Sequence, residues 1–164
     1  MSDTLTIVQC LTFTLASETY ALEVGHVREV LEMSTITPLP RTPEYMRGVI
    51  NVRGSVVPVV DLRLKLGMAK TEKSINTCIV VLDVPRAGET VTVGALVDSV
   101  QEVVEFDSAK IEPPPKLGMA VQTRFLKGIG KRDERFVIVL DIGSIFEAGD
   151  LDALGAGEAV SGSA

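Results

Sequence analysis

Residues 46–66 read MRGVINVRGSVVPVVDLRLKL, and the fold turns on how this stretch is parsed. Two apolar runs, at about 47–52 and 55–60, flank the turn Asn51-Val52-Arg53-Gly54, which is the pattern of a β-hairpin. Pro58 has no N–H to give a ladder, so the second strand is expected at a sheet edge or with a bulge. Asp61 is placed to cap a short helix over 62–66, which Gly67 ends. The tip is the odd feature: Asn51 and Gly54 suit a turn, while Arg53 is either a solvated charge or a contact residue on an exposed loop.

Upstream, Leu11, Phe13 and Leu15 alternate with Cys10 and Thr12, and Tyr20 to Val24 resumes the alternation after a turn at 16–19. These are the two strands of a first hairpin. Val27, Val30 and Leu31 fall at spacings of three and four, which fits a helical turn or a strand; a turn feeding a strand through Met33 is expected. Pro38, Pro40 and Pro43 mark a connecting loop, with a single helical turn over 43–46. Residues 70–76 are polar and aperiodic and read as a link.

The second half repeats the first. Residues 77–82 align with 9–14 at an offset of 68 (Cys10 to Cys78), and 95–106 align with 22–33 at an offset of 73 (Val27 to Val100). Leu126-Lys127-Gly128 and the apolar run ending at Asp141 match Met46-Arg47-Gly48 and the run ending at Asp61, at an offset of 80. Each half then holds about five short strands and a closing helical turn. Five short strands favour a small closed barrel, because closure removes unpaired edges. The expected organisation is a first barrel over 1–69 and a second over 70–147, with terminal strands free to be shared, and a frayed or partly helical tail over 148–164. With 164 residues, two such units have to lean on each other.

Composition narrows the function. A formal net charge of −6 without a basic run gives no electrostatic ground for nucleic-acid binding. The N-terminal residues lack a basic segment followed by an apolar one, and no apolar stretch reaches the ~18 residues of a membrane span, so a cytoplasmic protein is expected. Cys10 and Cys78 lie far apart in apolar runs without a CxxC spacing and are expected to be reduced and buried, with no zinc site. His26 is the single histidine, and its counterpart in the repeat is Ser99, which argues for a surface turn and against a catalytic base. The pairs Glu29 with Glu32 and Glu102 with Glu105 read as solvated faces. Gly128-Ile129-Gly130-Lys131 lacks the spacing of a phosphate loop.

Four segments, FTLASETYALEVGHVREV, RTPEYMRGVINVRGSVVPVVDLRLKLG, GALVDSVQEVVEF and RFLKGIGKRDERFVIVLDI, together resemble the CheW family of chemotaxis coupling proteins over about residues 8–147. The resemblance implies an all-β fold of two five-stranded SH3-like barrels side by side, forming one CheW-like domain, and no catalysis or cofactor. It implies a cytoplasmic adaptor, monomeric in isolation and assembled in arrays, that couples the cytoplasmic tips of chemoreceptors to the regulatory domain of the histidine kinase CheA. A receptor helix would lie between the barrels against Val27, Glu29, Arg53, Val97 and Val100, and Lys116 and Leu117 would face the kinase. Lys116 stands where many members carry an acid. Two other readings are a CheW-like scaffold of another chemosensory pathway and a small-molecule-binding β-barrel.

Overall fold

The computed structural model describes residues 6–86, 88–113 and 123–146. Alternation and turn chemistry give the strands β1 (Ile7–Leu15), β2 (Glu18–Glu23), β3 (Val27–Glu32), β4 (Met46–Val52) and β5 (Ser55–Asp61), then the one-turn helix α1 (Leu62–Lys65). The order repeats as β6 (Cys78–Arg86), β7 (Glu89–Val97), β8 (Ser99–Asp107), β9 (Leu126–Arg132), β10 (Arg135–Leu140) and α2 (Ile142–Ile145). The 43–46 segment is a simple turn, closed by the Met46 N–H on the Pro43 carbonyl at 2.9 Å.

These strands build two five-stranded SH3-like barrels, with orders β8-β1-β2-β10-β9 (barrel I) and β3-β6-β7-β5-β4 (barrel II). Each is closed by the segment immediately after its first-named strand. Thr37 bridges to Val49 on β4, and Glu112 bridges to Ile129 on β9. Glycine is required where these bridges form. A Cβ on Gly48, at φ +142°, would stand 2.2 Å from the Thr37 carbonyl oxygen, and one on Gly128 would stand 2.7 Å from that of Glu112.

The barrels do not follow the sequence halves. β1 and β2 join the last three strands of the second repeat, while β6 and β7 join the last three of the first. Parallel ladders make the exchange: β2 meets β10 (Tyr20 with Ile138, Ala21 with Val139) and β7 meets β5 (Val59 with Gly94, Val60 with Ala95). The split at 69/70 therefore marks the unit of duplication, and each closed barrel takes strands from both sides of it. Pro58 is likewise not at an edge, since β5 lies between β7 and β4. It is tolerated because the ladder to β7 begins only at Val59.

The ladders also correct the register of the repeat. Thr12 and Val81 occupy equivalent places, opposite Ala21 and Gly94, which themselves face Val139 and Val59. The offset is 69, not 68, so the counterpart of Cys10 is Ile79. A one-residue slip matters because it exchanges the faces of a strand. Cys10 is fully buried inside barrel I and Ile79 inside barrel II, while Cys78 is half-exposed, and both cysteines are free.

Most of the apolar core lies between the barrels. Leu11, Phe13 and Leu15 of β1, Val80, Leu82 and Val84 of β6, and Val93, Ala95 and Val97 of β7 all join one cluster with Leu62, Leu66, Ile142 and Ile145. The barrel interiors are smaller: Cys10, Ala21, Val104, Phe106, Val137 and Val139 in one, and Ile50, Val57, Val59, Ile79, Val81 and Leu96 in the other. Strands buried on both faces read as continuous apolar runs, which is why β6 carries Ile79-Val80-Val81-Leu82 without alternation.

Asp61 ties barrel II to the chain beyond α1. Its carboxylate is fully buried, accepts from the Arg47 guanidinium at 3.0 Å and from the Thr71 N–H and hydroxyl at 3.0 and 2.7 Å, and caps α1 through the Arg63 N–H at 3.1 Å. The residues expected as a plain polar link are thus anchored at Thr71, itself buried. Asp141 caps α2, accepting from the Ser144 N–H at 3.3 Å. Replacing Asp61 by Ala leaves the Arg47 charge and the Thr71 donors unpaired. A loss of about 3 kcal/mol is expected in urea unfolding. Fragments 1–69 and 70–147, each lacking strands of both barrels, are expected to be unfolded alone and to regain β circular dichroism on mixing.

A valine-lined groove between the barrels

β3 and β8 are the first strands of their sheets, beyond β6 and β1, and their inward faces border the seam core. Val27 pairs with Leu82 and Val30 with Val80, and both partners point into the seam. On β8, Val100 pairs with Phe13 and Val103 with Leu11, again seam residues. Cross-strand partners share a face, so all four valines look toward the seam. A spacing of three would ordinarily put them on opposite faces. It does not here, because a bulge interrupts the ladder between Val27 and Glu29 and, at the equivalent place, between Leu11 and Phe13 opposite β8.

Val27 and Val100 are half-buried against the seam, whereas Val30 and Val103 are 40% and 54% exposed. Two residues on, Glu32 and Glu105 continue the same faces as exposed carboxylates, opposite Cys78 and Gln9. A cavity of about 460 Å³ lined by Glu32, Met33, Cys78, Ser99 and Val100 joins the end of β3 to the start of β8. The surface is a pair of apolar strips with acids at their ends.

The residues expected to line one groove separate into three environments. Val27 and Val100 border the seam. Val97 is fully buried in the core of the seam, opposite Cys78, and offers no surface to a partner. Glu29 faces the other way, alongside Val81, and pairs with Arg53, whose NH1 donates to its carboxylate. Sequence reasoning misses Val30, Val103, Glu32 and Glu105 as parts of this surface, and the signal that points to them is the repeated Val-x-x-Val spacing before an acid. Lys116 and Leu117 lie outside the described residues.

Arg53 and Gly54 are the two central residues of the β4–β5 turn, at φ 51° and 88°, with the Gly54 N–H donating to the Asn51 side chain at 2.8 Å. This is the geometry of a tight hairpin turn in which both residues are left-handed, unusual for arginine at the first place. The side chain remains 75% exposed even though it is paired. The hydrogen bond from Arg53 holds the Glu29 carboxyl below the ordinary carboxylate range. Burial pushes the Cys10 thiol up to about 11, which makes it inert as a nucleophile. Among the described residues, no group of three or more His, Cys, Asp or Glu could hold a metal ion, and no helix is long and apolar enough to cross a membrane.

What this surface supplies is contact area: an apolar groove between two barrels with carboxylates at its margins, as in a protein-docking module. A family model described as the CheW-like domain matches residues 9–150. The chain is 33% identical over 141 residues to the chemotaxis protein CheW of Klebsiella aerogenes, covering 86% of this chain and 82% of that one. It is 33% identical over 150 residues to CheW of Thermotoga maritima, covering 90% and 93%. The crystal structure of the scaffolding protein TtCheW from Thermoanaerobacter tengcongensis matches with a TM-score of 0.77 at 34% identity, over 92% of this chain and 94% of that one. The chain belongs to the CheW family.

Without the Arg53 hydrogen bond, the Glu29 carboxyl returns to the ordinary range. In an Arg53→Ala protein its NMR titration midpoint is expected to rise. The pair's contribution to stability is present above the ordinary carboxylate range and is lost as pH falls through the depressed Glu29 value. The wild-type and Arg53→Ala stability curves should therefore converge in acid. Arg53→Gly removes a left-handed non-glycine residue and should raise Tm by roughly 2–4 °C in a thermal melt near neutral pH, because the backbone gain exceeds the loss of an exposed pair.

Proposed function

We propose that this protein is a non-enzymatic adaptor of chemotaxis signalling that works in the cytoplasm and couples the cytoplasmic tips of chemoreceptors to the histidine kinase CheA. The observation that carries this reading is the groove: Val27 and Val30 on one barrel and Val100 and Val103 on the other present an apolar strip to one side of the seam. A strip of this kind takes the apolar face of an amphipathic helix. Glu32 and Glu105 at its margins favour a helix with basic residues beside that face, improving specificity and association rate more than affinity. In this reading Arg53, exposed at its hairpin tip and outside the valine strip, exchanges Glu29 for a partner carboxylate. Lys116 and Leu117 are assigned to the kinase contact on the family resemblance.

Family membership and the chemotaxis role in the names of the relatives support the assignment. The test is binding of the full chain to a receptor cytoplasmic tip and to CheA. Micromolar complexes with both are expected in gel filtration and pull-down, and failure of both would overturn the proposal. Val30→Asp and Val103→Asp lie at exposed positions, so each should leave Tm within a few degrees of wild type. Each should weaken receptor-tip binding at least about tenfold, the effect of putting a charge into an apolar contact. Arg53→Glu is expected to fold normally and to reduce receptor coupling. Loss of the folded state in its thermal melt would show that Arg53 is structural instead.

A further inference from the structure

The internal duplication offers a comparison of two barrel mouths within one chain. In barrel II, the bulge of β3 presents Glu29, and the tip of the β4–β5 hairpin presents Arg53, which pairs with it. In barrel I the equivalent bulge presents Glu102, at an offset of 73, and the tip of the β9–β10 hairpin presents Asp133, at an offset of 80. Asp133 has the same left-handed backbone as Arg53, φ 57° against 51°. The framework is the same and the closing cation is replaced by a second carboxylate.

The consequence is an open mouth. A cavity of about 370 Å³ is lined there by Thr12, Glu102, Arg132, Asp133, Arg135 and Val137, among others. The Thr12 hydroxyl fixes the bulge, donating to the Glu102 carbonyl at 2.7 Å and accepting from its N–H at 3.1 Å. Arg132 and Arg135 are direct cross-strand partners, and like charges so placed repel. Among the described residues none of Glu102, Arg132, Asp133 and Arg135 forms an ion pair.

We infer that the mouth of barrel I is a docking site for a partner protein's arginine or lysine that carries an acidic neighbour. The cation takes against Glu102 and Asp133 the place that Arg53 takes against Glu29, and the adjacent carboxylate lies between Arg132 and Arg135. The two acids and two arginines of the mouth fit such a paired epitope better than a lone cation, which the arginines oppose, or a lone anion, which the acids oppose. Glu102 faces the side of β8 away from the groove valines, so the contact uses residues other than the valine strip and is independent of the adaptor reading.

The probe is acetyl-Arg-Gly-Glu-amide, in which both charged side chains share one face of an extended peptide. It is titrated into the isotopically labelled full chain. Saturable shifts are expected in the backbone N–H signals of 101–103 and 131–135. Replacing the probe's Arg by citrulline, or its Glu by Gln, should weaken binding about tenfold in each case, the ordinary effect of losing a charge-assisted hydrogen bond. Asp133→Arg copies the tip of barrel II, so its arginine should pair with Glu102 in the same chain and displace the probe, again by about tenfold or more. Glu102→Gln should lose the probe without altering the hairpin. Absence of saturable shifts at these positions, equal binding of the neutral probes, or undiminished binding by both variants would overturn the inference.

Discussion

The seam between the barrels is the constraint on which the rest of the structure depends. Each barrel interior buries a small aliphatic set, such as Ile50, Val57, Val59, Ile79, Val81 and Leu96. The seam buries Phe13, Leu15, Leu22, Leu82, Val97 and Ile145 among many more. Apolar burial contributes roughly 25 cal/mol per Å², so the larger cluster dominates and each barrel depends on the other for most of its burial. The exchange of strands makes this mutual dependence topological, since β2 completes its sheet through β10 and β7 through β5. A groove bordered by strands of both barrels then rests on buried side chains, Leu11 and Phe13 of β1 and Val80 and Leu82 of β6.

The same framework yields different sites in its two copies. Both barrels close through a bridge facing a glycine, both carry a bulge on the strand that borders the groove, and both end in a capped helical turn. What differs is the charge set on that frame. Arg47 serves the buried Asp61, whereas its counterpart Lys127 reaches out to Glu23. Arg53 closes one mouth on Glu29, whereas Asp133 leaves the other open beside Glu102. The two copies therefore share their backbone solutions and differ in the charges set on them.

The bulges show how a backbone irregularity makes a site. In an unbroken strand Val27 and Val30 would face opposite sides, and the groove would have one valine per strand. The extra residue restores Val30, and likewise Val103, to the seam side while turning Glu29 and Glu102 toward the barrel mouths. One device in each repeat thus places an apolar strip on one face and a carboxylate on the other.

Much of this was legible in the residues themselves. The alternation of Leu11, Phe13 and Leu15, the hairpin around Arg53-Gly54, the cap at Asp61 and the recurrence of Val-x-x-Val before an acid determined the strands, the turns and the duplication, because these depend on local backbone geometry and on one buried face. Local pattern could not say which sheet buries that face. That is why the exchange of strands, the burial of Val97 and the true partner of Cys10 were decided only by tertiary structure. The separation of Glu29 from the valines was decided there too, since the facing of a bulged strand depends on the ladder opposite it, which lies many residues away in the chain.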